Sequence, residues 1–543
     1  MFESFRKTRV IFFVALSFLL SSVAVAHGKR VFPTVPKFSE PTASVSVFPE
    51  KVVPNSAVRI SFQRSDWIGH SVHLHYGFNG WSLQVPGFKN QDFEGRTDWF
   101  QNVSMSWDGN KQSFFADIVV PEKVRAMHFD FCWDDCASGK WDDNGGLDYA
   151  WPLVFPYAGP YLTWNDKTTP ENGIVVSFED PSARAAWLEI WKDGVSKRDL
   201  LRDNARGIHH FVLSNLEMGT RYHYRVGIGD AFVSSDFSFK THNGSESFSF
   251  VAMSDIQDGG GWCGFPNVRA NLAAQNDDVL FYILAGDFVW NNHPGLWWLA
   301  LDGTRDLFAT HVVMPVPGNH DTPTTNSNPD ISVFKRYFDL PYATGVSGAY
   351  KFSVGSSLFL SMNSESPEQF AQGGVQFNWM AKQLREHHAN FEGSASAGWS
   401  FAYWHIPVWD VALRHASQQY QFRPAAELFP GTLDWHFAGH EHMYQRMKPI
   451  GHGGYVQPEY GLGANGGTGY MVLPSAGAYP EAGFNPSAAP YAFVGYSGNG
   501  GDSGNGFVRV DVQSGEARLL VYQLRVSETA SQMRLVDQVS IRK

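Results

Sequence analysis

The sequence predicts a multidomain protein: two amino-terminal β-sandwiches followed by an α/β domain. Three observations lead there. The chain has 543 residues, more than a single hydrophobic core organises. From about Ala43 to Thr241, short runs such as SVHLHYGFNGW, QSFFADIVVP and AWLEIWKDG alternate apolar and polar residues between turn signals, as strands with one buried face do. After residue 245, apolar strands alternate with helix-like stretches such as NWMAKQLREHHANF.

The amino terminus is built like a processing segment. Arg6, Lys7 and Arg9 precede the apolar run VIFFVALSFLL, and Ala24-Val25-Ala26 offers a small-residue cleavage site. Residues 1–26 are therefore expected to be a signal peptide, and the mature protein to be exported, whether secreted, periplasmic or extracellular. The apolar run is short for a membrane span and no later stretch qualifies, so no transmembrane segment is expected after cleavage. The first β-rich segment then covers residues 43–152. A connector, PLVFPYAGPY, leads to the second at 157–241, and HNGSE leads to the α/β segment at 245–543.

Cys132 and Cys136, two of three cysteines, are spaced to close a small disulfide in an exported protein. Separated by three residues and with no other cysteine beside them, they make a poor zinc site. Acidic residues number 53 against 42 Lys and Arg, and no basic block is present, so nothing in the sequence marks a nucleic-acid-binding surface. The segment GDSGN at 501–505 mimics a serine-protease nucleophile loop, but the α/β texture around it is wrong for that fold.

Five apolar strands of the third segment end in turns that carry metal-competent side chains. In order these are Asp255 and Gln257 in SDIQ, Asp287 in AGD, Asn319 and His320 in PGNHD, His405 in YWH, and His440 and His442 in AGHEH. The carboxyl ends of strands in an open α/β sheet form the crevice where sites assemble. Each segment alone reads as an ordinary turn, helix cap or packed ring; all five in order read as a metal site. Two carboxylates, two amides and three histidines suit Mn, Fe or Zn better than calcium. Paired ions about 3.5–4 Å apart suit phosphate-ester hydrolysis, because they clamp the attacking and leaving oxygens. Asp287 is the natural bridge, with one oxygen for each ion.

These residues resemble the ordered signature of calcineurin-like metallophosphoesterases: Asp255, Gly286-Asp287, Gly318-Asn319-His320-Asp321, His405 and Gly439-His440-Glu441-His442. GPYLTW, LSNLEMGTRYHYRVG and FSFKT resemble the fibronectin type III-like amino-terminal domain of purple acid phosphatases, extending the likeness over about 157–543. The resemblance implies a central β-sandwich flanked by helices and a hydroxide bridging two metals. One ion would take Asp255, Asp287 and His442, with Gln257 as a candidate; the other would take Asp287, Asn319, His405 and His440. His320 would face the substrate as hydrogen-bond donor or general acid, and Asp321 would orient it. Purple acid phosphatases carry a tyrosinate ligand three residues after the second aspartate, and Trp290 stands there instead. With Gln257 supplying a neutral oxygen in its place, two divalent ions are expected, Mn favoured over Fe or Zn.

The first segment resembles starch-binding carbohydrate modules in VHLHYGFNGW and in Trp141-Asp142-Asp143-Asn144-Gly145. Indoles stack on the flat faces of sugar rings, so His75, Trp81 and Trp141 are candidates for binding an α-glucan or other polysaccharide. The expected activity is an exported phosphomonoesterase localised on polysaccharide. Phosphodiesterase or pyrophosphatase activity on the same fold, and a non-catalytic glycan-binding protein, are the alternatives.

Overall fold

The computed structural model describes residues 45–543 apart from several short stretches, the longest of them 258–267, 484–491, 496–503 and 525–532. The proposed signal peptide, Trp81 and Cys263 lie outside the described residues. None of the helices described is long and apolar enough to cross a membrane.

Two antiparallel sheets form the first β-sandwich. Strands Val45–Phe48, Ala57–Phe62, Ser113–Val119 and Ser106–Asp108 make one; the other is centred on Val72–Phe78 between Ala126–Trp133 and Arg96–Ser104. Alternation drives the pairing. In Ala57–Phe62 every second residue is buried, and Phe62 stacks on Phe131 of the opposite sheet with ring centroids 3.9 Å apart. Cys132 and Cys136 are joined by a disulfide that closes the turn after Ala126–Trp133.

The second β-rich segment does not stand apart. One of its sheets, built on Arg198–Asp203, Ala186–Lys192 and Arg221–Ile228, is its own. Its other strands, Ala158–Thr163, Ile174–Glu179 and Ile208–Leu213, extend the sheet of the third segment, through parallel pairing of Leu162 with Val312. Hydrogen bonds from Tyr224 Oη to the Ala309 carbonyl (2.7 Å) and from Thr163 Oγ1 to the Asp339 carbonyl (3.0 Å) tie the two segments together.

The resulting nine-stranded sheet packs on a seven-stranded one. At its centre Phe248–Met253, Phe281–Ala285 and Val312–Val316 run parallel; in the other, Ser400–Tyr403, Trp435–Ala438 and Gly469–Val472 do. These strands are mostly apolar and almost entirely buried, because both faces are covered. Phe250 shows the packing between sheets: its ring lies 5.2 Å from Phe281 in its own sheet, and 5.2 Å from Phe359 and 5.4 Å from Phe401 in the other. Helices Pro294–Gly303, Ser332–Tyr337 and Val375–Phe391 connect the strands. The parallel strands of both sheets deliver their carboxyl ends to one edge, and the metal-competent turns meet there.

Candidate metal centre

At that edge the side chains form two groups that share Asp287. In the first, Asp255, Asp287 and His442 offer ligand atoms that all lie within 4.8 Å of one another. In the second, Asn319 Oδ1 lies 2.9 Å from His405 Nε2 and 3.0 Å from His440 Nδ1, and His405 Nε2 lies 3.3 Å from Asp287 Oδ2. Asp255, Asp287, His440 and His442 all have positive φ, between 44° and 74°. Non-glycine residues in that region carry strain of about 1–3 kcal/mol each, which a fold keeps where it aims side chains at a common point. Small neighbours make room: a Cβ on Gly318 would lie 2.2 Å from Asp287 Oδ1, and one on Gly286 2.4 Å from His405 Nδ1.

Backbone and amide oxygens select which nitrogen of each ring faces inward. His405 Nδ1 donates to the Ala285 carbonyl (2.9 Å), His442 Nδ1 to the Tyr479 carbonyl (3.0 Å) and His440 Nε2 to Gln418 Oε1 (2.9 Å). The opposite nitrogens, His405 Nε2, His442 Nε2 and His440 Nδ1, therefore face the centre. His405 Nε2 and His440 Nδ1 are only 3.2 Å apart, and Asn319 Oδ1 is a third acceptor at the same point. Without a cation, His405 Nε2 holds a proton between Asp287 Oδ2 and Asn319 Oδ1; once that proton is displaced, the converging acceptors fit a cation. Burial alone would lower His405, but the carboxylates of Asp287, Asp255 and Glu365 raise it to about 10. Burial would raise Asp287, but His405 and His320 hold it well below the usual carboxylate range.

Gln257 is 1% exposed, and its Oε1 has no hydrogen-bond partner while its Nε2 lies 3.2 Å from His442 Nε2. A buried, orphaned amide oxygen beside the first group suits a ligand role. Trp290 contributes no ligand atom. Its carbonyl accepts from His320 Nδ1 (2.5 Å) and its ring lies 4.7 Å from the His320 ring. His320, 30% exposed, thereby directs Nε2 to the pocket, 4.0 Å from Asp287 Oδ2. Asp321 sits elsewhere than a partner of the His320 ring: it accepts from the backbone of Val289 (3.0 Å) and Gly318 (2.9 Å), clipping two ligand turns together. Burial, reinforced by Asp287, raises its carboxyl to about 8.

Three residues join the centre without having been singled out. Gln418 caps His440; His415 lays its ring 4.2 Å from that of His440; and Glu441, 1% exposed, sits 3.3 Å from His415 Nδ1. Glu441 lay in plain sight inside GHEH, where it reads as a spacer. RHASQQY, which carries the other two, has no strand-end pattern to draw attention to it.

In the first β-sandwich the structure brings His75 and Trp141 together, with rings 5.2 Å apart and His75 away from the surface. His75 is 3% exposed, bonded to Asn102 Oδ1 (2.6 Å) and covered by Phe100 and Trp141. Trp141 is half-buried and donates to the Cys136 carbonyl (2.7 Å).

Comparison with known proteins agrees with this geometry. Residues 248–444 match the model of the calcineurin-like phosphoesterase family. Purple acid phosphatase 21 of Arabidopsis thaliana is 28% identical over 257 residues, covering 46% of this chain and 55% of its own length. Phosphoenolpyruvate phosphatase of Allium cepa is 24% identical over 263 residues, covering 45% of this chain and 51% of its own. The chain thus spans about half the length of these curated relatives. A purple acid phosphatase from yellow lupin (Lupinus luteus) seeds superimposes with a TM-score of 0.64 at 15% identity, over 92% of this chain and 95% of that one. Residues 248–444 are thus similar to the calcineurin-like phosphoesterase family, and the chain as a whole has a largely β-sheet fold like that of the lupin purple acid phosphatase.

Proposed function

We propose that the protein is an exported, dinuclear metal-dependent hydrolase of phosphate esters, acting chiefly on monoesters and held on polysaccharide by its first β-sandwich. The observation that carries the reading is the pair of ligand groups sharing the Asp287 carboxylate. Asp255, Gln257, Asp287 and His442 would hold one divalent ion, and Asp287, Asn319, His405 and His440 the other. Such ions polarise a phosphoryl oxygen and make water acidic enough to attack at neutral pH. The chain does the rest. Ala285, Tyr479 and Gln418 fix the histidine tautomers, and Asp321 locks the turns. His320, held by the Trp290 carbonyl, presents Nε2 to the pocket, where a proton on it serves the phosphoryl oxygens or the leaving oxygen. His415, 3.3 Å from Glu441, packs its ring on His440 and supports it. Manganese is favoured because an amide oxygen and a tryptophan replace the donors that suit a ferric ion.

The test is to strip the protein with a chelator and assay a chromogenic phosphate monoester before and after adding Mn²⁺. Recovered turnover supports the reading. Two bound metals with turnover only on a diester would move the assignment to phosphodiesterase; no metal and no turnover would leave a glycan-binding protein.

A further inference from the structure

The outer face of the sheet built on Ala186–Lys192 gathers charges that are scattered in the sequence. Residues at alternate strand positions share a face, and the pairing register fixes their neighbours. Trp187 lies between Arg202 and Gly227, Glu189 between Leu200 and Arg225, and Trp191 between Arg198 and His223. One step further along the sheet, Arg221 pairs with Lys240. Arg198, Arg202, Arg221, Arg225 and Lys240 thus share the face with two paired carboxylates, Glu189 and Asp193, the latter 3.1 Å from His223 Nε2, while Asp236 lies just beyond a strand end. This is a basic patch on a chain whose net charge is −11.

The patch also has flat apolar surface. The Trp187 ring lies over Gly227, where a Cβ would come within 2.1 Å of it, and Nε1 donates to the Gly229 carbonyl (2.9 Å). Trp191 stacks beside His223 at an interplanar angle of 14° and beneath the Arg198 guanidinium at 4.2 Å. Four residues of extended strand separate the two indoles, about 13 Å. Leu200 and Val233, 51% and 47% exposed, widen the apolar surface.

The distribution of charge selects the partner. In the middle of the face Glu189 bonds both Arg225 (2.5 Å) and Arg198 (3.1 Å), leaving little free charge there. Net positive charge remains at the two ends, at Arg202 and at Arg221 with Lys240, which outnumber the neighbouring Asp193 carboxylate held by His223 (3.1 Å); the ends lie about 20 Å apart along six residues of strand. Nucleic acid carries a charge at every nucleotide and would meet Glu189 midway. A polysaccharide with occasional phosphate groups instead places uncharged rings over the apolar surface around Trp187, Leu200 and Val233 and anions at the ends. We propose that this face is a docking platform for a phosphate-bearing polysaccharide. The phosphatase reading supplies the reason for such a partner, but binding here is measured apart from turnover.

The experiment is affinity electrophoresis of the full chain in chelator, so that nothing is hydrolysed, with phosphate-rich amylopectin, the same polymer after dephosphorylation, and a single-stranded oligodeoxynucleotide. Retardation by the phosphorylated polymer should be about tenfold stronger than by the dephosphorylated one and should weaken with salt. Arg202→Ala with Arg221→Ala, both exposed and outside the core, should abolish that preference, and Trp187→Ala should weaken both glucans. Equal retardation by the two glucans, unchanged in the arginine variant, would overturn the proposal. So would stronger binding of the oligonucleotide. Loss of monoester turnover with binding intact would count against the phosphatase reading alone.

Discussion

Metal loading of this centre should release a proton from His405, and the size of the effect follows from the structure. In the metal-free protein the Asp287 carboxylate, aided by Asp255 and Glu365, overcomes burial and raises the imidazole to about 10. A cation on His405 Nε2 must displace that proton. At pH 7 the displacement spans about three pH units, or about 4 kcal/mol, and the cost falls by about 1.4 kcal/mol for each unit that pH rises. Apparent Mn²⁺ affinity should therefore tighten about tenfold per pH unit between pH 6 and 9, with about one proton released per protein at pH 7 from this residue. Isothermal titration in buffers of different ionisation enthalpy measures both quantities. The sign for stability is separate. A raised histidine stabilises the metal-free fold fully below its unfolded value of about 6.5, and that contribution is lost as pH climbs through about 10. Metal-free Tm should decline over that window. A pH-independent Kd with no proton release would refute the electrostatic reading of His405.

Other outcomes can be checked independently. His320→Ala should lower kcat by about 10²–10⁴-fold, while atomic absorption still finds two metals per chain, since Nε2 of this ring lies 4.0 Å from Asp287. The metal-loaded protein should show no visible charge-transfer band, because Trp290 has no phenolate to offer and only its carbonyl is engaged, by His320; a purple sample would contradict the divalent assignment. Phe250→Ala should destabilise the α/β domain by about 3–5 kcal/mol, read by denaturant unfolding, because its ring fills the space between Phe281, Phe359 and Phe401.

Local pattern carried much of the fold and most of the centre. Buried parallel strands such as FYILA are uniformly apolar, so their ends, and the Asp, Asn and His residues just beyond them, stand out in the sequence. His415 and Gln418 were not legible because they sit in a loop with no periodic pattern, and only its folding over His440 gives them a role. His75 shows the converse. Its residue type and place suggested contact with sugar, whereas packing puts it beneath Trp141 and Phe100.

The sequence by itself determined the strand-end ligands, the two stretches of alternating strands and the cysteine spacing, since each depends on neighbours within a few residues. Tertiary structure decided which nitrogen of each histidine faces the metals, the extension of the nine-stranded sheet by Ala158–Thr163 and its neighbours, and the basic face that collects Arg198, Arg202, Arg221 and Arg225. Strand pairing and ring orientation are set by partners up to hundreds of residues away, and the contacts that select them exist only once the sheets have formed.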